Sequence, residues 1–401
     1  MKPTLAQRLA KRREHKPNPV LYAILYVVVL IMKRRLKARF IYKARPAKDK
    51  GPFVLVSNHA SRNDYIFTAP AVWPRRLNYV VGYNEFFRFP TALLLKAAQV
   101  IPKRNFVSDV HTIQSIMRII QKGGHVMFMP EGMSSITGMG QPVMPGTGKL
   151  LKKLGVNVYY TKISGGYLSY TKHCLDERIG RTEVVVDKMF SPEDLASMTD
   201  VQIEDRMNRL LAHDDYIWNS DKHIEFKTGQ PMSKGLDTLL YLCPKCGAMY
   251  RMSCDGNRMT CTECGNTIEM GQDGSIKPVG EGSVCPPLVT DWTIMEREKA
   301  ARAVQQDDFI FSDHVKVGTL PDYKYLTGNT TAIITGEGTL TLTKAGLHYK
   351  GTLKGSETMF DIPITKLPTF GMCTDITRFY TFINGVFYHR GALLHHRWHS
   401  Q

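Results

Sequence analysis

The stretch Phe53-Val-Leu-Val-Ser-Asn-His59-Ala-Ser-Arg-Asn-Asp64 places an imidazole and a carboxylate five residues apart. In one continuous helix, at about 100° per residue, side chains at that spacing point roughly 140° apart and cannot meet. Across a bend they can. Phe53 to Ser57 reads as a short buried strand, and Asn58 to Asn63 is small and polar, suited to a turn that opens a helix near Asp64. His59 then sits in the turn and Asp64 in the first helical turn, facing back toward it. Such a pair is suited to general base catalysis, because the carboxylate fixes the imidazole tautomer and stabilises the cation formed when the ring takes a proton. A merely solvated histidine could carry the same local sequence, so the elements around the pair have to decide.

Four of the eight cysteines fall as Cys243-Pro-Lys-Cys246-Gly and Cys261-Thr-Glu-Cys264-Gly. Each C-x2-C pair is followed by a glycine that lets the backbone wrap round a tetrahedral ion, and the spacing reads as a structural Zn2+ ribbon. Two-residue loops are cramped for disulfides. Four thiolates also fill the ion's coordination and leave no open position for catalysis. Within the ribbon, Lys245, Arg251 and Arg258 are offset by Asp255, Glu263 and Glu269, so there is no basic stripe and no nucleic-acid partner is expected. Cys174, Cys254, Cys285 and Cys373 have no paired spacing. His389, His395, His396 and His399 match no common metal site and read as solvated or packing residues.

The net charge of +17 is unevenly placed: residues 1 to 50 hold fifteen Lys or Arg against Glu14 and Asp49, a net +13. A partner carrying negative charge is expected there. Val20 to Met32 is thirteen uncharged and mostly apolar residues, followed by Lys33, Arg34, Arg35, Lys37 and Arg39. As a helix it would span roughly 20 Å, short of the roughly 30 Å hydrocarbon core. Insertion into one leaflet, with anionic lipid satisfying the basic flanks, is the favoured reading, and a buried core helix is its rival. A signal peptide is disfavoured by the basic run and by the lack of a small-residue cleavage site.

Residues 51 to about 190 alternate apolar strand-like runs with helical stretches, the pattern of an α/β layer domain. The predicted strands are Phe53 to Ser57, Leu77 to Val81, Val126 to Met129, Val156 to Ile163 and Thr182 to Val186. Helical spacing marks Thr91 to Ala98 and Val110 to Gln121, and Asp194 to Ile217 reads as one or two helices. Asp291 is a suitable N-cap for a helix through about Val304, and from Ala332 onward the chain reads as β-rich. Pro145-Gly-Thr-Gly148-Lys149 imitates a phosphate loop, but Val143 and Leu150 stand where such a loop needs glycine and Ser or Thr. It reads instead as a helix start.

Asn58-His59-Ala-Ser-Arg-Asn-Asp64 resembles the Asn-His-x4-Asp block of the glycerolipid acyltransferases typified by 1-acylglycerol-3-phosphate acyltransferase. Tyr83-Asn-Glu-Phe-Phe-Arg-Phe-Pro90 is similar to that family's Lys-x-Glu-Leu stretch and its following proline. Val100-Ile-Pro-Lys103-Arg104-Asn105 is similar to its second block, and Phe128-Met-Pro-Glu131-Gly132-Met-Ser-Ser135 to its Phe-Pro-Glu-Gly-Thr-Arg-Ser block. The likeness runs in order over residues 51 to about 165.

The resemblance implies an acyl donor, acyl-CoA or acyl carrier protein (acyl-ACP), and a lysophospholipid acceptor such as lysophosphatidate, giving phosphatidate at the cytoplasmic face of the cell membrane in a peripheral or monotopic protein. It implies His59 as base with Asp64 behind it, Arg104 assisted by Lys103 for the acceptor phosphate, and Glu131 and Gly132 shaping the acceptor pocket. Met133 and Ser134 depart from the family's threonine and arginine, and Val156-Asn-Val-Tyr-Tyr160 lacks the prolines of its fourth block. Either Arg104, Lys103, Arg62 or Lys149 compensates for the missing arginine, or the acceptor is not a simple phosphomonoester. A lipid-binding or scaffold protein with weak catalysis is the alternative class. The expected organisation is an anchoring segment over 1–50, an α/β catalytic domain over 51–235, a zinc ribbon over 236–275, and a linker helix with a β-rich domain over 276–401. Through Gly338-Thr-Leu-Thr-Leu342 the last resembles a pleckstrin-homology or GRAM module, although Thr381 to Gln401 shows no pattern for that fold's closing helix.

Overall fold

The computed structural model describes residues 2–104, 109–174, 176–328 and 332–363, with strand backbone at 371–373, 379–382 and 385–388. Asn105 and the four C-terminal histidines lie outside the described residues. The chain divides into two compact units, the first made of Met1–Tyr170, Glu177–Lys227 and Asp322–Gly328.

In the first unit, β1 (Arg39–Tyr42), β2 (Phe53–Ser57), β3 (Leu77–Gly82), β4 (Ile101–Lys103), β5 (His125–Phe128), β6 (Asn157–Ser164) and β7 (Glu183–Phe190) form one sheet in the order β1-β7-β6-β2-β5-β3-β4. All neighbours run parallel except β6 and β7. Its helices are α1 (Leu5–Ala10), α2 (Pro19–Arg35), α3 (Tyr65–Val72), α4 (Thr91–Ala97), α5 (Val110–Gln121), α6 (Thr147–Leu154), α7 (Gly166–Ser169), α8 (Pro192–Ser197), α9 (Asp200–Leu211) and α10 (Asp215–Ser220). The unbroken apolar run of β2 follows from its burial on both faces. Val54 and Val56 pack with Ile116, Ile119 and Leu151, while Phe53 and Leu55 pack with Ile66 and Phe67.

Three short helices, α8 to α10, occupy the span expected to hold one or two. Side-chain caps set two of the breaks: Thr199 accepts the N–H of Gln202, and Asp214 accepts those of Tyr216 and Ile217.

The basic N-terminal stretch is built into the fold. Strand β1, hidden in sequence among basic residues, pairs with β7 at the sheet edge. Before it, Arg12 donates to the carbonyls of Val100 and Lys96, and fully buried Glu14 lies 3.8 Å from Arg12 and 4.0 Å from Arg118. Helix α2 runs longer than the apolar segment, because Asn18 caps the N–H groups of Val20 and Leu21 and Pro19 opens the first turn. Its Tyr22, Tyr26 and Val29 are buried, and the Tyr26 ring stacks on Trp73 at 3.9 Å. Val20, Ile24, Val27, Val28 and Ile31 form an exposed stripe on the same helix. One face of the segment is thus packed as in the core-helix reading, and the other is exposed. Among the described residues no helix is long and apolar enough to cross a membrane.

The first unit also takes in Asp322–Gly328, which the expected linear partition placed in the C-terminal domain. This segment pairs its backbone with the chain before α4, where Phe89 N–H donates to Leu326 O and Leu326 N–H to Phe87 O.

In the second unit, β8 (Met252–Asp255), β9 (Arg258–Cys261), β10 (Thr267–Met270) and β11 (Ile276–Val279) form an antiparallel sheet. Helix α11 (Val289–Gln305) begins earlier than expected. Leu288 holds the cap position, and Asp291, two residues into the helix, reaches back to accept the Leu288 N–H. Buried Glu296 on α11 accepts the N–H groups of Tyr241 and Leu242. Strands β12 (Ile310–Thr319), β13 (Ile333–Thr343), β14 (Gly346–Leu353), β15 (Ser356–Pro363), β16 (Gly371–Cys373), β17 (Phe379–Phe382) and β18 (Gly385–Tyr388) form an antiparallel sheet in the order β15-β14-β13-β12-β18-β17-β16. A four-strand meander and a three-strand meander thus share the β12–β18 edge.

The phosphate-loop look-alike is a packing device. The N–H groups of Gly146 and Gly148 donate to Glu204 at 2.8 and 3.0 Å, and a Cβ on Gly148 would lie 2.3 Å from the Asp200 carbonyl oxygen. Gly148→Ala is expected to cost roughly 1–3 kcal/mol through forced separation of α6 from α9. Thermal unfolding measures it, and an unchanged midpoint would remove the packing explanation.

Candidate active site and metal centre

Strands β2, β5, β3 and β4 point the same way, as does β6, so the residues that follow them collect along one edge of the sheet. Ligands of open α/β sheets bind at such carboxyl ends. His59 follows β2, Glu131 follows β5, Tyr83 follows β3 and Arg104 follows β4.

The bend expected between His59 and Asp64 is present. His59 Nδ1 lies 2.8 Å from Asp64 Oδ2, with the imidazole about one-quarter exposed and the carboxylate 2% exposed. The other oxygen, Asp64 Oδ1, accepts both the N–H and the hydroxyl of Ser61 at 2.9 Å. Asp64 occupies the N-cap position of α3, yet its side chain caps nothing there because it is turned back into the bend. Burial pushes the Asp64 carboxyl up from its ordinary value, and the His59 and Ser61 hydrogen bonds oppose that shift. With Nδ1–H donating to Asp64, Nε2 is the proton-accepting nitrogen.

Asn58 fixes the start of the bend to β6, its amide donating to Ile163 O at 2.8 Å and its carbonyl accepting Ile163 N–H at 2.7 Å. Glu131 fixes it from the β5 side. Glu131 Oε1 accepts the His59 N–H at 2.9 Å and Oε2 accepts the Gln141 N–H at 2.8 Å. The carboxylate is 1% exposed, and burial raises it above the usual carboxylate range against those two N–H groups. The resemblance implies a part for Glu131 in shaping the acceptor pocket. Both its oxygens accept backbone N–H groups, because a carboxylate at the end of buried β5 is closed in. Next to it, Gly132 has φ +74°, and a Cβ there would sit 3.1 Å from Met144 Cγ. Ser135 N–H donates to His59 O at 2.7 Å.

Arg104 and Lys103 lie on the same edge but three strand spacings from β2, roughly 14 Å along it. The Arg104 guanidinium lies 5.4 Å from the Tyr83 ring, and its backbone N–H donates to Asp109. Lys103 donates to the Arg104 carbonyl at 2.6 Å, and burial lowers its ammonium from the ordinary value.

One residue that sequence reasoning missed joins these pieces. The fully buried carboxylate of Asp215 accepts the N–H groups of Gly165, Tyr167 and Leu168 at 2.7, 2.7 and 3.1 Å, and it bonds His213 Nε2. Its own N–H donates to Gly138 O, while Gly140 N–H donates to His213 O. Asp215 thereby ties the segment after β6 to the loop after Glu131. Its neighbour Asp214 is the real helix cap, so the pair of acids reads in sequence as one capping signal.

A family model described as Acyltransferase matches residues 38–163. The likeness to that family is confined to this segment. The structure of the 1-acyl-sn-glycerophosphate (LPA) acyltransferase PlsC from Thermotoga maritima is similar over 52% of this chain and 85% of that one, with 16% sequence identity and a TM-score of 0.40. No curated protein matches the chain in sequence. The matched segment spans β1 to most of β6 and contains His59, Asp64, Arg104 and Glu131.

The four expected cysteines of the second unit converge, with all sulfurs within 4.8 Å of one another. Cys243 and Cys264 are 3.7 Å apart, Cys246 and Cys261 3.8 Å. A tetrahedron with Zn–S bonds of about 2.3 Å has edges of about 3.8 Å, so the set fits Zn2+. The two knuckles are alike in backbone: Gly247 N–H donates to Cys243 O and Gly265 N–H to Cys261 O, with φ of +74° and +69°. Bound there, the ion would hold the ribbon together. Metal analysis of protein purified without chelator is expected to give about one zinc per chain, with Cys261→Ser losing it and lowering thermal stability. Metal-free protein, or these thiols found oxidised in pairs, would reject the site.

Proposed function

We propose that the protein moves a fatty acyl chain from a thioester donor, acyl-CoA or acyl-ACP, to the free hydroxyl of lysophosphatidate or a related lysophospholipid, making phosphatidate or its counterpart. The observation that carries this reading is the His59–Asp64 pair at the carboxyl edge of the sheet, inside the segment that matches the acyltransferase family.

In this reading His59 Nε2 takes the proton from the acceptor hydroxyl as its oxygen attacks the thioester carbonyl, and Asp64 stabilises the imidazolium. The C–O bond forms, the C–S bond breaks, and the imidazolium returns the proton to the leaving thiolate. Glu131 and Ser61 keep the bend closed while the charge develops. Gly132 gives the acceptor close approach, and Arg104 with Lys103 supplies cations for phosphate.

The exposed stripe of α2, with Lys33, Arg34 and Arg35 at its end, suits a peripheral or monotopic position on an anionic lipid surface, with α2 lying in the interface. The cytoplasmic face of the membrane is the side this reading assigns.

His59→Ala is expected to lower acyl transfer by roughly 10²–10⁴ with the fold intact, the usual contribution of a general base. Asp64→Asn should lose less, since the imidazole remains. Wild-type turnover by a folded His59→Ala protein would sink the assignment. For the membrane contact, Ile24→Glu combined with Val28→Glu should release the protein from anionic vesicles without lowering its unfolding temperature, and salt should weaken wild-type binding only in part. Full co-sedimentation of the double variant would move the contact elsewhere.

A further inference from the structure

The third block of this chain carries Ser134 where the resemblance leads one to expect an arginine, and the cation has to come from somewhere if a phosphate-bearing acceptor reaches His59. Ser134 is 6% exposed, and its neighbour Ser135 is bonded to the His59 carbonyl, so position 134 lies beside His59 on the β5 flank. Lys149 belongs to α6, whose start is tied to Glu204 and packed on α9. Arg104 is three strands away along the edge.

Arg62 is in the catalytic bend itself. Three peptide units limit its Cα to roughly 11 Å from that of His59, and the bend is drawn tighter still, because Asp64 bonds both His59 and Ser61. Its exposed guanidinium lies 5.7 Å from the ring of Tyr170, which follows α7 on the β6 flank. That ring is held firmly. The Tyr170 hydroxyl donates to Glu177 Oε1 at 2.5 Å, and Glu177 Oε2 pairs with Arg35 at 2.6 Å. Burial first, and the hydrogen bond to Glu177 second, push the Tyr170 phenol up, so it stays neutral and presents a flat face. At that distance the ring holds the cation by its π face, and a guanidinium's planar fork can grip phosphate with two bonds.

We propose that Arg62 supplies the acceptor-phosphate cation that position 134 lacks, placing the acceptor's phosphate on the β6 flank of His59 and making Arg62 a determinant of acceptor choice. The proposal rests on the acyl-transfer reading above. An acceptor phosphate lies close to the hydroxyl that reacts, so a cation within the His59 bend meets it from the near side, opposite Arg104 and Lys103 on the far strand.

Steady-state transfer by the full chain, with lysophosphatidate and with the matching monoacylglycerol as acceptors, tests this. Arg62→Ala should reduce the preference for lysophosphatidate over monoacylglycerol by roughly 10- to 100-fold, the range for a charge-assisted contact. The change should fall on the acceptor KM and not on the donor KM. Arg62→Lys should regain part of the preference, since a point charge cannot make the two-bond grip. Adding Ser134→Arg to Arg62→Ala should regain it from the other flank. If the buried position 134 does not admit arginine, the lysine variant still decides the matter, because position 62 is exposed. Equal losses on both acceptors, or a rise confined to the donor KM, would overturn the proposal, the second outcome assigning Arg62 to the phosphate of the donor's pantetheine arm. A wild-type protein that acylates neither acceptor would instead overturn the acyl-transfer reading itself.

Discussion

A carboxylate taken out of water has to be surrounded by donors, and two such groups, Asp64 and Glu131, meet this requirement on the same six-residue bend. Asp64 takes the imidazole of His59 and both donors of Ser61. Glu131 takes the backbone N–H of His59 and that of Gln141. Neither acid can be satisfied unless the bend has one shape, and that shape presents Nε2 of the ring outward. The sheet supplies the rest: β2 is locked between β5 and β6, so the bend is carried on the most deeply buried strand of the unit. The ring moves only as far as these contacts allow, which is the preorganisation that the proposed role as a base requires.

Much of this was legible in the amino-acid order. The continuous apolar run of Phe53 to Ser57 marked a strand buried on both faces, and a five-residue gap between acid and base required a bend. The cysteine pairs were equally direct, since their spacing and the following glycines are local properties. What escaped was non-local. β1 is four residues within a basic stretch, and counting charge there hid a strand whose partner comes much later in the chain. The direction of the Glu131 side chain is decided by the closure of β5 against its surroundings, which a motif does not encode. The return of Asp322–Gly328 to the first unit depends on backbone pairing with residues more than two hundred positions earlier. Asp291 belongs to the expected helix but at N3 and not at the cap, because an acid at either position leaves nearly the same sequence trace.

The N-terminal charge also reads differently once its neighbours are known. Arg12 is engaged with carbonyls of the α4–β4 segment, and Glu14 sits in a buried cluster with Arg12 and Arg118, so part of the basic excess is structural. The cations in the last turn of α2 are of another kind. Lys33 lies 4.6 Å from the Phe40 ring and Arg35 pairs with Glu177, leaving that end of the helix both cationic and aromatic. Helix α2 therefore joins two environments: an aromatic stack on Trp73 toward the domain and an aliphatic stripe away from it.

The position of β1 has a consequence for the order of events during synthesis. Its sheet partner β7 begins roughly 140 residues later, which at ribosomal rates of about 5–20 residues per second is a delay of roughly 7–30 s. Throughout that interval β1 has no strand to pair with, and the aliphatic stripe of α2 has already left the ribosome. Under the proposed lipid contact, α2 would therefore reach a surface before the sheet that carries His59 is complete.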